Sequence, residues 1–252
     1  MSGAESLPGS GVAATNAVFR PVRAGNAFEE TVSRLLQAIR LGIVPPGVAL
    51  PAERELALRF SVSRDTVRDA INALAEAGFL MPRRGRYGGT FVAEHRTFSA
   101  GLREIEGITV LAPATAAEIE DTLAVRKILE TGAARNAASR VLTAAERELL
   151  WNRLSDTSAA SLEHYRRLDS RLHLAIGELV GAPSLVPLIA DNRMRVDDLL
   201  DQLPLLQPNV EHSNQQHEQI VVAILTGDVE RAASAMLEHL EGSAARLRDF
   251  LH

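Results

Sequence analysis

The sequence predicts a mainly α-helical protein in two parts: three short helices closed by a β-hairpin, followed by an all-α bundle. Three observations predict it. Between Phe28 and Leu74 apolar residues recur at helical spacing in three short stretches, separated by Gly, Pro or a polar turn. Two brief apolar pieces then flank a basic, glycine-rich run, the pattern of a hairpin. From Thr115 onward helical periodicity continues and strand-like alternation is absent.

Residues 1–26 are rich in Gly, Ala and Ser without a period and are expected to form a disordered tail. A helix over Phe28–Leu41 would carry Phe28, Val32, Leu35, Leu36 and Ile39 on one side and stop at Gly42 and Pro45-Pro46-Gly47. Next, Leu56, Ala57 and Phe60 give a second helix its apolar side, and Phe60-Ser61-Val62-Ser63 turns the chain. Ser63 is a good N-cap for the third helix, because its hydroxyl can accept from an otherwise unpaired N–H. That helix has Val67, Ala70, Ile71 and Leu74 on one side and Arg64, Arg68 and Asn72 on another. An apolar seam backed by an arginine-bearing face lets a helix dock on a body and enter a DNA major groove. Gly78 ends it. Phe79–Met81 and Thr90–Val92 are the expected strands, joined by Arg83-Arg84-Gly85-Arg86-Tyr87-Gly88-Gly89. Such a hairpin would be a wing, making residues 27–93 a winged helix-turn-helix.

Residues 94–114 have mixed character and read as a linker. Residues 115–252 are expected to form six helices: Thr115–Ser139, Thr143–Thr157, Ser161–Val180, Ser184–Leu203, Glu211–Thr226 and Asp228–Leu251. Breaks are expected at Gly181-Ala182-Pro183, at Pro204 and Pro208, and at Gly227. Thr143 and Glu146 have the spacing of a capping box.

The 252 residues carry a net charge of −5, which alone argues against a DNA binder. The distribution argues otherwise. Residues 27–93 hold nine Arg against seven acids, whereas 24 acids outnumber 16 basic residues from Glu94 on. The acidic part should therefore sit away from phosphate. There is no cysteine, so disulfide and thiolate chemistry are excluded. No run approaches the ~18 apolar residues of a membrane span, and the N-terminus lacks a signal-peptide pattern. A cytoplasmic protein without a membrane partner is expected.

In the helical part, Asp169 and His173 lie one turn apart, on the side that carries Leu162, Tyr165, Leu172, Ile176 and Val180. His217 shares a face with Ile220, Val221 and Ile224, and His239 lies near Ala232, Ala235 and Met236. Three inward histidines and an aspartate could converge on one divalent metal: zinc first, with nickel, manganese or iron possible on the same N/O donors. The plainer alternative is a set of hydrogen-bonded core histidines and a salt bridge. Arg126 shares a face with Ile119, Leu123, Ala133 and Ala137 and is suited to anchor a carboxylate effector, although Glu130, one turn on, could simply pair with it. Asn192, among Leu185, Leu188, Val196 and Leu199, is a weaker pocket candidate. His95, His164, His212 and His252 read as surface or linker residues.

Two family resemblances sharpen these readings. Leu50-Pro51-Ala52-Glu53-Arg54-Glu55-Leu56-Ala57, Val62-Ser63-Arg64 with Val67-Arg68, Leu74 with Gly78-Phe79-Leu80, and Gly85 with Gly89-Thr90-Phe91-Val92 resemble the winged helix-turn-helix of the GntR family of bacterial transcription regulators. Ala52 and Asp69 depart mildly, standing where many members have Ser and Glu. The second resemblance rests on Arg126-x-x-Leu129-Glu130-x-x-Ala133-Ala134, Leu168-Asp169-x-x-x-His173, His217-Glu218-x-Ile220 and Ala235-Met236-x-x-His239-Leu240. These are similar to the FCD ligand-binding domain of the FadR-type branch. In metal-binding members of that branch an Asp and three His at such positions hold the ion, and none of the four is lacking here.

The resemblance implies a transcription regulator, a repressor in first expectation, rather than an enzyme. DNA contacts are expected from Arg54, Ser63, Arg64, Arg68, Arg84 and Gly85, made by a homodimer on a short inverted repeat of double-stranded DNA. A small carboxylate effector would bind near the metal. An acyl-CoA-responsive regulator without metal is one alternative, and a metal-dependent hydrolase another; against the latter, no general base stands beside the candidate ligands.

Overall fold

The computed structural model describes Thr15, Val18, Phe19 and residues 27–85, 88–94 and 114–251. Contacts divide the chain into two compact units, Met1–Ala112 and Pro113–His252. The linker expected over 94–114 falls almost wholly outside the described residues, as do Arg86, Tyr87, His95 and His252.

The first unit contains helices α1 (Ala27–Arg40), α2 (Glu53–Phe60) and α3 (Arg64–Glu76) and strands β1 (Leu80–Arg83) and β2 (Gly89–Val92). Val32, Leu35 and Ile39 of α1, Leu56 and Phe60 of α2, and Val67, Ala70 and Leu74 of α3 meet in one core and are all buried. The tail expectation needs correction at three residues. Thr15, Val18 and Phe19 are buried, and the Phe19 ring lies 5.7 Å from that of Phe60. An aromatic side chain that can cover the α2 end has a reason to leave water.

The turn between α2 and α3 is set by two backbone devices. Ser61 adopts the left-handed conformation, φ 58°, which lets its N–H and that of Val62 reach back to Leu58 and Ala57 carbonyls. Ser63 then caps α3, accepting from the Thr66 N–H at 3.0 Å. At the other end of α3, Gly78 has φ 76°, with Gly78 N–H on Ala75 O and Phe79 N–H on Leu74 O. This paired return closes the helix and turns the buried Phe79 under it. The strands pair antiparallel from Leu80↔Val92 to Arg83↔Gly89, longer than the Phe79–Met81 and Thr90–Val92 expected, because the pairing runs through Pro82 and Arg83 toward the tip. Ala49 adds a bridge to Phe91.

The second unit is all helix: α4 (Ala116–Ala138), α5 (Ala144–Ser158), α6 (Leu162–Leu179), α7 (Leu185–Leu200), α8 (Gln207–Thr226) and α9 (Val229–Leu251). Capping boxes start α4 (Thr115 with Glu118) and α5 (Thr143 with Glu146). Two expected boundaries move. α7 stops at Leu200 rather than Leu203. α8 starts at Gln207, with Pro208 inside its first turn, where the N–H that proline lacks has no helical partner anyway. Leu162 and Leu188, expected to point inward, are exposed. α6 and α7 approach so closely that a Cβ on Gly177 would lie 2.6 Å from Ile189 Cδ1. This contact sets Ser170 of α6 against Asp197 of α7, whose carboxylate its hydroxyl meets at 2.8 Å. Among the described residues no helix is long and apolar enough to cross a membrane.

Candidate metal centre and reading face

Asp169 and His173 from α6, His217 from α8 and His239 from α9 converge in the second unit. Each offers a ligand atom, all lie within 4.8 Å of one another, and all four residues are buried. Asp169 Oδ1 is 3.2 Å from His217 Nε2 and 3.7 Å from His173 Nε2, and the Nε2 atoms of His217 and His239 are 3.3 Å apart. Such spacings are those of donors sharing one ion at bonds of about 2.0–2.2 Å.

The outward-facing ring nitrogens show how this set is oriented. Glu130 Oε2 of α4 lies 2.5 Å from His173 Nδ1, and Gln216 Oε1 lies 3.1 Å from His239 Nδ1. An acceptor at Nδ1 keeps the proton there and leaves Nε2 with a lone pair toward the centre. Neither ring nitrogen of His173 makes a hydrogen bond of normal geometry; Nδ1 has the Glu130 carboxylate beside it, whereas Nε2 has only Asp169 at 3.7 Å, a gap that a bound cation would fill. Burial lowers the pKa of His173. It also lowers that of His239, helped by the charges of His217 and His173. Both rings are therefore neutral near pH 7, as ligands must be. The residues present fit a divalent metal.

Asp169 is held by more than the histidines. Arg193 of α7, fully buried, donates to Asp169 Oδ2 at 2.5 Å and to Ser170 Oγ at 2.7 Å, with Asp197 Oδ1 at 3.4 Å. Burial pushes the Asp169 carboxyl up, but Arg193 and the histidines outweigh it and hold it well below the usual carboxylate range. The Glu130 carboxyl is depressed in the same way, by His173, Arg126 and Arg193 against its own burial.

A cavity of about 70 Å³ reaches this centre, with Asp169, His239, Arg126, Tyr165 and Arg246 in its wall. Arg126 is also engaged internally, its Nε donating to Glu130 at 3.3 Å and one terminal nitrogen to Ser243 Oγ at 2.8 Å. Asn192 is buried with its amide on the Thr122 carbonyl at 3.1 Å and does not line the cavity. His164 is half-buried and His212 exposed, both away from the four ligands.

Sequence reasoning missed Arg193, Asp197, Gln216 and Arg246, and read Glu130 only as a partner for Arg126. Arg193 had a signal: it lies at helical spacing from the buried Ile189 and Val196, inside a run that otherwise reads as solvent-facing charge.

In the first unit, Arg54, Ser63, Arg64, Arg84 and Gly85 are exposed. Arg68 is exposed too but bridged, to Asp65 at 3.0 Å and to Glu53 at 3.2 Å. Arg83 stacks over the Phe91 ring at 4.4 Å, which braces the wing rather than extending its tip.

Residues 28–92 match the family described as "Bacterial regulatory proteins, gntR family", and residues 121–242 match the "FCD domain". The chain carries a GntR-family helix-turn-helix domain and an FCD domain. Among its relatives, an Escherichia coli protein named for regulation of the L-lactate dehydrogenase operon is 29% identical over 227 residues, covering 84% of this chain and 83% of that protein. The transcriptional repressor NanR of Salmonella arizonae is 28% identical over 243 residues, covering 92% and 88%. The fold matches that of E. coli McbR/YncC with a TM-score of 0.56 at 18% identity, over 90% of this chain and 99% of that one. With these two domains, which are regulatory and not catalytic, the chain is a metabolite-sensing, DNA-binding transcription regulator.

Proposed function

We propose that the chain is a cytoplasmic repressor that binds a short inverted-repeat operator as a homodimer and responds to a small organic acid bound beside a divalent metal. The observation that carries this reading is the cavity whose wall includes both Arg126 and two of the four converging ligand residues, Asp169 and His239. Residues 27–93 read DNA, 94–114 link, and 115–252 sense and dimerise.

Asp169, His173, His217 and His239 hold the ion, zinc first by the donor set, with nickel, manganese or iron sharing its preference for nitrogen and oxygen. When bound, the ion supplies a Lewis-acid point for a carboxylate or hydroxyl oxygen. Arg126 supplies the opposing hydrogen bonds. Asn192 secures the α4 turn before Arg126 through Thr122 and positions that helix. A relative named for regulation of an L-lactate dehydrogenase operon supports a 2-hydroxy acid as the chemical type. A relative named as a repressor supports the sense of regulation. The cavity of about 70 Å³ is far below the ≈ 300–1,000 Å³ of pockets that enclose larger ligands, which disfavours an acyl-CoA.

On the DNA side, Arg64 and Arg68 read base edges, Arg54 and Ser63 contact the backbone at the helix-turn-helix, and Arg84 with Gly85 approaches the neighbouring groove. Entry of the acid shifts the dimer between operator-competent and incompetent arrangements.

The test is metal analysis of the purified protein, with thermal unfolding before and after chelation. A bound divalent ion near one per chain is expected, with a lower unfolding temperature once it is stripped. No bound ion and no effect of chelator would overturn the metal-dependent reading.

A further inference from the structure

One cation at the cavity lacks an anion. Arg166, in the wall, is tied to Asp201 at 3.1 Å and to the Leu203 carbonyl. Arg126 is tied to Glu130 and Ser243. Arg246 of α9 also lines the cavity and is half-buried, yet among the described residues no carboxylate pairs with it and it makes no hydrogen bond. Beside it stands Tyr165, which is 5% exposed. Tyr165 lines the same cavity; its buried hydroxyl has Ser213 beside it as a donor and no acceptor for its own proton. A half-buried guanidinium without an anion and a buried hydroxyl without an acceptor stand on one wall, and an acceptor reaching both would satisfy them.

Charge counting gives the partner's sign and size. Three buried carboxylates, Glu130, Asp169 and Asp197, face Arg126, Arg193 and Arg246, so this polar core is balanced before any ion enters. A divalent cation entering it adds two positive charges. A monocarboxylate cancels one of them; an acid with two carboxylates cancels both.

We propose that Arg246 and Tyr165 form a second reading point in the effector site, and that the effector is a short dicarboxylate. This rests on the metal-anchored reading above and goes beyond it by naming the ligand's second charge. One carboxylate lies at the metal and Arg126, and the other meets the Arg246 guanidinium and the Tyr165 hydroxyl.

The experiment is calorimetric titration of the zinc-reconstituted full chain with L-malate and L-lactate, two 2-hydroxy acids that differ by the second carboxylate. Malate should bind at least about tenfold more tightly, because the site's unpaired polar groups reject the ligand that cannot meet them. Arg246→Met, which keeps the length of the side chain, should abolish that preference by weakening malate and leaving lactate within about twofold. Tyr165→Phe should weaken malate selectively by a smaller factor. Lactate binding as tightly as malate in the unsubstituted protein, or Arg246→Met weakening both acids alike, would overturn the second reading point while leaving the metal-anchored acid in place. Binding of neither acid, or binding that survives removal of the zinc, would overturn both. If Arg246→Met fails to fold or to hold zinc, the malate-to-lactate ratio and the Tyr165→Phe variant decide.

Discussion

The two units use arginine in opposite ways. In the N-terminal unit Arg54, Arg64 and Arg84 stand exposed, and Arg68 is exposed with partners on α2 and α3 alone. In the helical unit Arg126 and Arg193 are buried, and besides the carboxylate one turn on, Glu130 or Asp197, each reaches a partner on another helix, Ser243 or Asp169. An exposed guanidinium is solvated and available to a phosphate or guanine. A buried one has exchanged water for fixed carboxylates and cannot be withdrawn without leaving them uncompensated. The same side chain is thus a reader in one place and part of the frame in the other.

The sharpest way to break this contrast is Arg193→Met. It removes the only guanidinium within 4.0 Å of Asp169 among the described residues and should cost about 3–5 kcal/mol of stability, read as a shift of the urea midpoint at constant slope. A loss below about 1 kcal/mol would mean that Arg193 is not part of the frame. A smaller effect is expected from Glu130→Gln, which keeps the shape but removes the charge facing His173 Nδ1. Metal affinity should fall about 10–100-fold in competition with a chromophoric chelator, while helical circular dichroism is retained. Unchanged affinity would leave Glu130 as no more than the partner of Arg126. On the exposed side, Arg64→Ala should weaken specific DNA binding by about 1–3 kcal/mol. Arg68→Ala should cost less, because Arg68 must first leave Glu53 and Asp65. Equal losses in fluorescence anisotropy would show that those bridges do not compete with DNA.

How much was legible in the sequence follows the same line. The α3 cap at Ser63, the stop at Gly78 and the capping box at Thr143 are local, with partners within a few residues, and each was read correctly. Asp169 and His173 were legible as one face because they are one turn apart. What that face meets depends on packing between helices, which periodicity does not encode. Arg193 and Asp197 sit in the run Asp191 to Asp198, dense enough in charge to read as a solvated surface. Only the close α6–α7 approach at Gly177 makes that surface internal. Likewise Leu162 and Leu188 satisfied the helical spacing but fell where no neighbouring helix covers them. Phe19 was missed because a composition rich in Gly, Ala and Ser hid a single aromatic with a partner at Phe60.

The ligand set also bears on how the chain comes together. Asp169 and His239 lie 70 positions apart in sequence and on different helices, so an ion held by both ties off a long loop. The entropy of closing such a loop grows only slowly with its length, and all four residues come together only where α9 packs against α4 and α8. A chain whose last helix has not docked lacks one imidazole and should hold the ion weakly. Metal capture would then act as a proofreading step in biogenesis: supply of the ion would set how much of the newly made protein reaches the fully assembled state.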